Sequence, residues 1–415
     1  MKRIAVIGAG FGGLWSSLAA ARLLDMHRVS GSDIEIAVVA PEPVLNVRPR
    51  FYEANPGSMA APLLPLFREA GIRFVRGIVD GIDAQGRVIS IVSGAGERST
   101  LDYDRLVLAS GSRLHRPPIP GLGAHAFSID QRDEAAELEA HLHTLPSRAD
   151  SAARNTVIVV GGGFTGIELA AELPRRLRAI LGEETAVRTV LIEKAKVIGP
   201  ELGAGPRPVI EQALGVLGVE VRLDTGVESI DAGGVLTSGG ERVEAHTVVW
   251  TAGLRASPLA RCIPGDKDDL GRLIVDRDLR VPETPSVFVA GDAGRAATDG
   301  AGNHTLMSCQ HALLLGRSAG NNAAADLLGV AAIPYAQPQY GTTLDLGAWG
   351  AVRCQGWERT VLKAGPEVKP LKHMINSKLI YPPPASRREA LEAANPVVDV
   401  DRLKQLAEKA GAAAR

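Results

Sequence analysis

One short pattern occurs twice in this chain. Residues 4–24 read IAVIGAGFGGLWSSLAAARLL, and residues 157–177 read VIVVGGGFTGIELAAELPRRL. Each copy starts with an apolar run, as a strand buried on both faces would. Each then passes through closely spaced glycines into an Ala/Leu-rich helical stretch. The likeness persists downstream. FVRGIVDGIDAQGRVISIV, ERSTLDYD and RLVLASGS follow the first copy; VEVRLDTGVESIDAGGVLTS, GERVEAH and TVVWTAGL follow the second. In both, short strands with glycine turns form a meander that ends in an apolar strand closed by small residues. The fold class is therefore α/β, with two Rossmann-like dinucleotide-binding domains.

A third apolar strand, SVFVAGDAG at 286–294, needs a sheet, and the first half supplies one. The second copy thus reads as inserted into the first. The stretch Arg113–Pro120, with three prolines, is the expected outward crossing, and Pro264–Leu270 the expected return. From Tyr335 the pattern changes to short strands over Thr342–Val352, with Gly347 and Gly350 as turns. A basic segment and a charged, Ala-rich tail follow. This predicts a small α+β C-terminal domain whose tail, Arg387–Arg415, is helix with a frayed end.

Composition narrows the function. Lys+Arg 46 against Asp+Glu 47 leaves a net charge of −1, and aromatic residues make up 4%. Neither an electrostatic pull toward nucleic acid nor a base-stacking surface is present, so no nucleic-acid partner is expected. The three cysteines, Cys262, Cys309 and Cys354, form no C-x-x-C pair, which suits a reducing cytoplasm. His141 and His143 are two apart and point different ways on a helix, so no metal site is expected. The opening MKRIAVIGAG lacks a signal-peptide cleavage site, and no stretch reads as a membrane span.

The glycine loops are Gly8-x-Gly10-x-x-Gly13 and Gly161-x-Gly163-x-x-Gly166. Glycine is needed there for a tight turn, for backbone approach to a pyrophosphate and for close helix–strand packing. The phosphates then sit on free N–H groups at a helix N-terminus. An acid at the end of the next strand would accept from a ribose hydroxyl. Glu193 holds that place in the second copy, where its carboxylate favours NADH over NADPH. The same offset in the first copy lands on Ala40, followed by Pro41, so the first ribose is held in another way; Glu42 or a backbone group is an alternative. Asp292, just after the third strand, can accept from a hydroxyl-rich chain such as a ribityl, or can be a helix cap.

These residues resemble the two-dinucleotide flavoproteins, the pyridine nucleotide-dependent reductases, over roughly 3–330. The marks are GAGFGG (8–13), LASGS (108–112), GGGFTGIE (161–168), LIEK (191–194), WTAG (250–253) and FVAGDAG (288–294). Within that group the chain looks most like the type II NADH:quinone oxidoreductases. The resemblance implies residues 1–113 and 266–332 as an FAD-binding domain, 114–265 as an inserted NADH-binding domain and 333–415 as the C-terminal domain. It implies that Gly8, Gly10, Phe11, Gly12 and Gly13 hold the FAD diphosphate, with Ala40, Pro41, Val79, Ala109, Ser110, Gly111, Gly291 and Asp292 around the rest. Arg48, with Arg50, is expected near the flavin edge, on phosphate, on an acidic substrate or in an ion pair. In the NADH copy it implies Gly163, Phe164, Thr165 and Gly166 at the diphosphate, Glu168 facing the nicotinamide, and Ala252 and Gly253 bordering the dinucleotide.

The segment NHTLMSCQHALLLG resembles the helix that begins beside the flavin, with Ser308 as candidate N-cap. Gln310 and His311 are candidate catalytic residues, His311 either carrying a proton or facing a core. The family's paired glutamines are replaced here by Leu314 and Leu315. No cysteine precedes Cys262, so a thiol–disulfide relay is not expected.

The expected activity is hydride transfer from NADH to FAD, then electron transfer to a second acceptor, with quinone as the leading candidate. Two alternatives stay open: an FAD enzyme acting on a small metabolite or protein redox partner, and a dinucleotide-binding sensor or assembly flavoprotein. The segment VKPLKHMINSKLIYPPP can gather Leu371, Met374, Ile375 and Leu379 on one helix face with lysines beside them. Localisation is read as cytoplasmic, with peripheral contact at the inner membrane face left open, as is a homodimer.

Overall fold

The computed structural model describes residues 1–397. The duplication seen in the sequence is a duplication of sheet order. In the first sheet the strands Arg105–Leu108, Lys2–Ile7, Ile34–Ala40 and Arg73–Arg76 lie side by side, all parallel. In the second, Thr247–Trp250, Thr156–Val160, Arg188–Ile192 and Val219–Arg222 repeat that order. Their Val/Ile/Leu content reflects burial on both faces: Ile4, Val6, Val107, Val157, Val159 and Leu191 are fully buried.

The first sheet gains two outer strands, the further one being Arg280–Val281, antiparallel to its neighbour, and the second sheet gains one. Thr284–Val289 joins the first beside Arg105–Leu108, as the sequence required, and Ala126–Phe127 joins the second beside Thr247–Trp250. Each half also carries a three-stranded antiparallel excursion, at 78–102 and at 227–244. The two crossings run side by side: Ser112–Leu114 pairs antiparallel with Leu254–Ala256. The return leg already runs beside the outgoing one at Leu254–Ala256, ahead of the expected Pro264–Leu270. Its position follows from backbone hydrogen bonding, because the outgoing strand offers a partner as soon as the strand Thr247–Trp250 ends.

Four helices position the chemistry. Helix α1 (Phe11–Met26) and helix α2 (Phe164–Leu181) each leave a glycine loop. Helix α3 (Cys309–Leu328) packs along α1 at very short range. A methyl on Gly320 would lie 1.9 Å from the Ser16 carbonyl oxygen, and one on Gly316 2.6 Å from that of Gly12. The C-terminal part is a three-stranded antiparallel sheet, 341–345, 351–355 and 360–365, followed by helix α4 (Lys369–Met374), which runs into a π turn at Ile375–Leu379.

Of the tail, Arg387–Ala393 is helical, and its Ala390 and Leu391 are buried in the core shared with α1. The remainder of the expected tail helix, from residue 398, lies outside the described residues. Among the described residues, no helix is long and apolar enough to cross a membrane.

Candidate functional site

The first glycine loop is a cradle whose walls are backbone. Gly8 has φ +107°, a conformation L-residues avoid, and a Cβ there would lie 2.4 Å from the Ala109 carbonyl oxygen. A Cβ on Gly13 would lie 1.9 Å from the carbonyl oxygen of Gly8, and one on Gly12 3.2 Å from the carbonyl carbon of Ala290, next to Gly291. The loops 8–13, 109–111 and 290–292 thus meet at one point. Gly10 and Gly111, by contrast, face open space: nothing lies within 4 Å of a Cβ at either. Helix α1 begins here at Phe11, and its N-cap Gly10 has no side chain to cap the free N–H groups. Ser110 Oγ is buried without a protein partner. Open space, unpaired donors and an orphaned hydroxyl fit the diphosphate of FAD.

Beyond this loop, the Gly77 amide donates to the Ala40 carbonyl at 3.0 Å, which sets the buried Val79 beside Ala40 and Pro41 at the sheet's edge. Glu42, the alternative acid, is ion-paired with Arg132 at 3.0 Å on the surface.

Asp292 accepts a hydrogen bond from Ser112 Oγ at 2.6 Å and lies 3.7 Å from the Arg48 guanidinium. Arg48 also donates to Ser112 Oγ at 2.9 Å and pairs with Asp130. Burial pushes the Asp292 carboxyl up from the usual range, while Arg48 and Ser112 oppose that rise. Arg48 thus occupies the ion-pair option among its sequence readings. Asp130 carried no sequence signal; no glycine loop or strand end announces it.

The second loop repeats the first. Gly161 has φ +114°; a Cβ there would lie 2.8 Å from the Ala252 nitrogen, and one on Gly166 1.8 Å from the Gly161 carbonyl oxygen. Ala252 and Gly253 therefore border the loop. Thr165 is exposed in the first turn of α2. The Glu193 carboxylate sits at the end of its strand and accepts from the amides of Gly162 and Ala195, both at 2.7 Å. Glu201, which sequence reasoning missed, accepts from the Phe164 amide at 2.9 Å.

Between the two cradles lies a buried polar cluster built from three parts of the chain. Glu168, on α2, is 3% exposed. Its Oε1 pairs with Lys372 Nζ of α4 at 2.7 Å and accepts from the Asp345 amide at 2.9 Å. Lys372 lies 5.8 Å from the Tyr52 ring centre and 5.7 Å from that of Phe164. Tyr52 donates from its hydroxyl to Asp345 at 2.9 Å, Asn376 donates to that hydroxyl at 3.1 Å, and Lys369 also pairs with Asp345. Burial raises the Glu168 carboxyl to about 7 against the pull of Lys372; the nearby Asp345 charge adds to the rise.

Cys309 opens α3, where Ser308 caps the helix by accepting from the His311 amide at 3.3 Å. The Cys309 thiol is pushed up to about 11 by burial, with Lys372 opposing and Asp292 and Glu168 adding. Gln310 is half-buried in the same turn.

His311 turns elsewhere. It is fully buried, its Nδ1 lies 2.9 Å from Gln337 Oε1, and its ring stacks on Tyr340 at 4.9 Å. Burial lowers its pKa to about 4. Of its two readings, the burial and the Gln337 contact fit the core one, while its Nε2 is buried without a protein partner. Leu315 lies in the core and Leu314 is half-buried.

The basic segment also differs from its expectation. The inward side of α4 and of the π turn after it carries Lys372 and Asn376, both about 5% exposed, while Leu379 at the end of that turn is 41% exposed.

Two backbone cradles facing a shared buried acid–base pair define a flavin- and pyridine-nucleotide-dependent oxidoreductase. The family model described as pyridine nucleotide-disulphide oxidoreductase matches residues 2–316, and the chain belongs to that family. It is 44% identical over 401 residues to a protein of Mycobacterium tuberculosis named NADH dehydrogenase-like, covering 96% of this chain and 99% of that one. It is 30% identical over 361 residues to the demethylphylloquinone reductase NdbB of Synechocystis, covering 84% and 86%. The fold matches NDH2 from Plasmodium falciparum, solved with NADH, at a TM-score of 0.74 and 14% identity, covering 95% of this chain and 97% of that one.

Proposed function

We propose that this chain is an FAD-dependent NADH dehydrogenase that delivers two electrons to a quinone. In balance, NADH, a proton and a quinone give NAD⁺ and a quinol. The observation that carries this reading is the buried Glu168–Lys372 pair, whose acid stands on the helix that leaves the second cradle. Bound FAD supplies the hydride acceptor and the two-electron store.

The chain's own residues do the rest. Gly8 to Gly13 and the amides at the start of α1 hold the FAD diphosphate, Asp292 takes the ribityl, and the capped N-terminus of α3 favours negative charge on the ring. Gly163 to Gly166 take the NADH diphosphate, and Glu193 takes the adenosine ribose; its charge disfavours a 2′-phosphate. Glu168 Oε1 and Lys372 Nζ hold a proton between them, with the acid placed near neutrality so that it can release or accept that proton at working pH.

The quinone reading draws on the names of the relatives, NADH dehydrogenase-like and demethylphylloquinone reductase. Of the two leucines that replace a glutamine pair, Leu315 packs into the core and the half-buried Leu314 is left as the apolar residue for the acceptor side. The outward Leu379, with half-buried Leu371, Met374 and Ile375, supports peripheral contact with a lipid surface that holds quinone.

The test is anaerobic mixing of FAD-loaded protein with NADH. Bleaching of the flavin band, followed by recovery on adding a short-chain quinone, is the expected result. Binding without bleaching would make the protein a sensor instead. Bleaching without recovery by quinones would move the acceptor to another class.

A further inference from the structure

The two cradles differ at one equivalent position. Gly10 and Gly163 are the middle glycines of their loops, each the N-cap of the helix that follows. A Cβ on Gly10 would meet nothing within 4 Å. A Cβ on Gly163 would lie 2.5 Å from Glu201 Oε1. The same oxygen accepts the Phe164 amide at 2.9 Å. The second cradle is thus already filled by a carboxylate of this chain, on the N–H group that a dinucleotide's diphosphate would use.

We infer that Glu201 is an internal competitor of the pyridine nucleotide's diphosphate, which must swing out before the nucleotide seats. This rests on the reading of the second cradle as the NADH site. Two anionic groups cannot share one helix N-terminus: their charges repel, and the oxygen stands where the phosphate oxygens must go.

The surrounding turn makes this a movement of one side chain. The Gly199 amide donates to the Gly162 carbonyl at 2.9 Å, and Leu202 is buried, so both flanks are anchored. On the far side, a Cβ on Gly205 would lie 2.4 Å from the Arg359 carbonyl oxygen, so the C-terminal sheet abuts the same loop. The Glu201 side chain itself is exposed and has solvent to turn into.

The asymmetry matches the two nucleotides' roles. FAD stays bound through the cycle, and its cradle is open. NADH and NAD⁺ must exchange at each turnover, and a displaceable anion lowers the affinity for both. Glu201 therefore acts on affinity and product release through the helix N-terminus, not on the reacting atoms.

The test titrates FAD-loaded protein with NAD⁺, which leaves the oxidised flavin unchanged, and compares the wild type with Glu201→Gln and Glu201→Ala. Both variants are expected to bind NAD⁺ about two- to fivefold more tightly, the size of a carboxylate's effect at an exposed helix end. Inorganic pyrophosphate should compete with NAD⁺ more strongly in both. Unchanged or weaker binding in the variants would overturn the proposal; weaker binding would make Glu201 a nucleotide ligand. If the wild type neither binds NAD⁺ nor is bleached by NADH, the reading of the second cradle fails as well. Bleaching by NADH with no tightening in the variants removes the Glu201 proposal alone.

Discussion

Glu168 and Lys372 lie far apart in the chain, yet their side chains meet as an ion pair at 2.7 Å, each less than a tenth exposed. Removing one partner of such a pair leaves the other uncompensated, at about 3–5 kcal/mol if it stays charged. Protonating Glu168 costs less, since burial already holds it near 7. Lys372→Met should therefore raise the Glu168 pKa further, because it deletes the charge that opposes the rise. The near-neutral limb of the pH–rate profile should move to higher pH by at least one unit. Steady-state rates between pH 5 and 9 would check this, and an unmoved limb would remove the pair from the proton path.

The same group sets a pH dependence of stability. The folded Glu168 pKa, about 7, is above the ordinary value of 4.5, so the folded state binds more proton between those values. Its stabilising contribution is complete below pH 4.5 and is lost as pH rises through 7. The slope reaches at most about 1.4 kcal/mol per pH unit. Denaturant melts of the wild type and Glu168→Gln across this window should show the difference curve falling with pH. A flat difference curve would mean that Glu168 ionises as it does in the unfolded chain.

His311 shifts in the opposite direction. With a folded pKa near 4 against 6.5, it favours the neutral ring, so its contribution is present above pH 6.5 and is lost as pH falls through 4. His311→Phe removes one of two partners of the buried Gln337 Oε1, which keeps the Tyr335 hydroxyl at 2.8 Å, and should cost about 0.5–1.5 kcal/mol in thermal or chemical unfolding. The pH–rate profile above pH 6 should keep its shape. A lost limb there would give His311 a proton-carrying role.

What the sequence disclosed and what it hid have physical causes. Both sheets, the insertion and the loops were legible because they depend on local signals: apolar runs, glycines at fixed offsets, small residues at strand ends. Asp130, Asp345, Lys372 and Glu201 were hidden because each acts on a residue far away in the chain. Lys372 looked like the charged rim of an apolar helix face; only the docking of the C-terminal sheet turns it inward to Glu168. His311 was ambiguous for the same reason, since its partners Gln337 and Tyr340 come from beyond α3. The pairing of Leu254–Ala256 with Ser112–Leu114 was hidden as well, since a three-residue strand held by a distant partner's hydrogen bonds leaves no local cue.

Two alanine substitutions in one loop should separate folding from cofactor binding. At Gly13 the new methyl would lie 1.9 Å from the Gly8 carbonyl oxygen, a backbone atom that cannot yield. Gly13→Ala should destabilise the first domain by about 1–3 kcal/mol or more. At Gly10 the methyl enters open space, so Gly10→Ala should fold with near wild-type stability. It should nevertheless bind FAD weakly, because the methyl stands where the diphosphate must lie. Melting curves and the visible flavin absorbance of the purified variants would check both, the expected result for Gly10→Ala being folded but pale protein.

The proposed preference for NADH makes Glu193 the residue to test. Its two oxygens take the Gly162 and Ala195 amides at 2.7 Å, which fixes the carboxylate at the strand's end beside the glycine loop. A 2′-phosphate placed there would meet a negative charge that two backbone donors hold still. Replacing Glu193 by Gln keeps the size of the side chain and one acceptor oxygen but removes the charge. The ratio of kcat/KM for NADH to that for NADPH should fall about tenfold or more, with most of the change on the NADPH side. An unchanged ratio would mean that a residue other than Glu193 reads the ribose, and the case for NADH would then rest on the relatives' names alone.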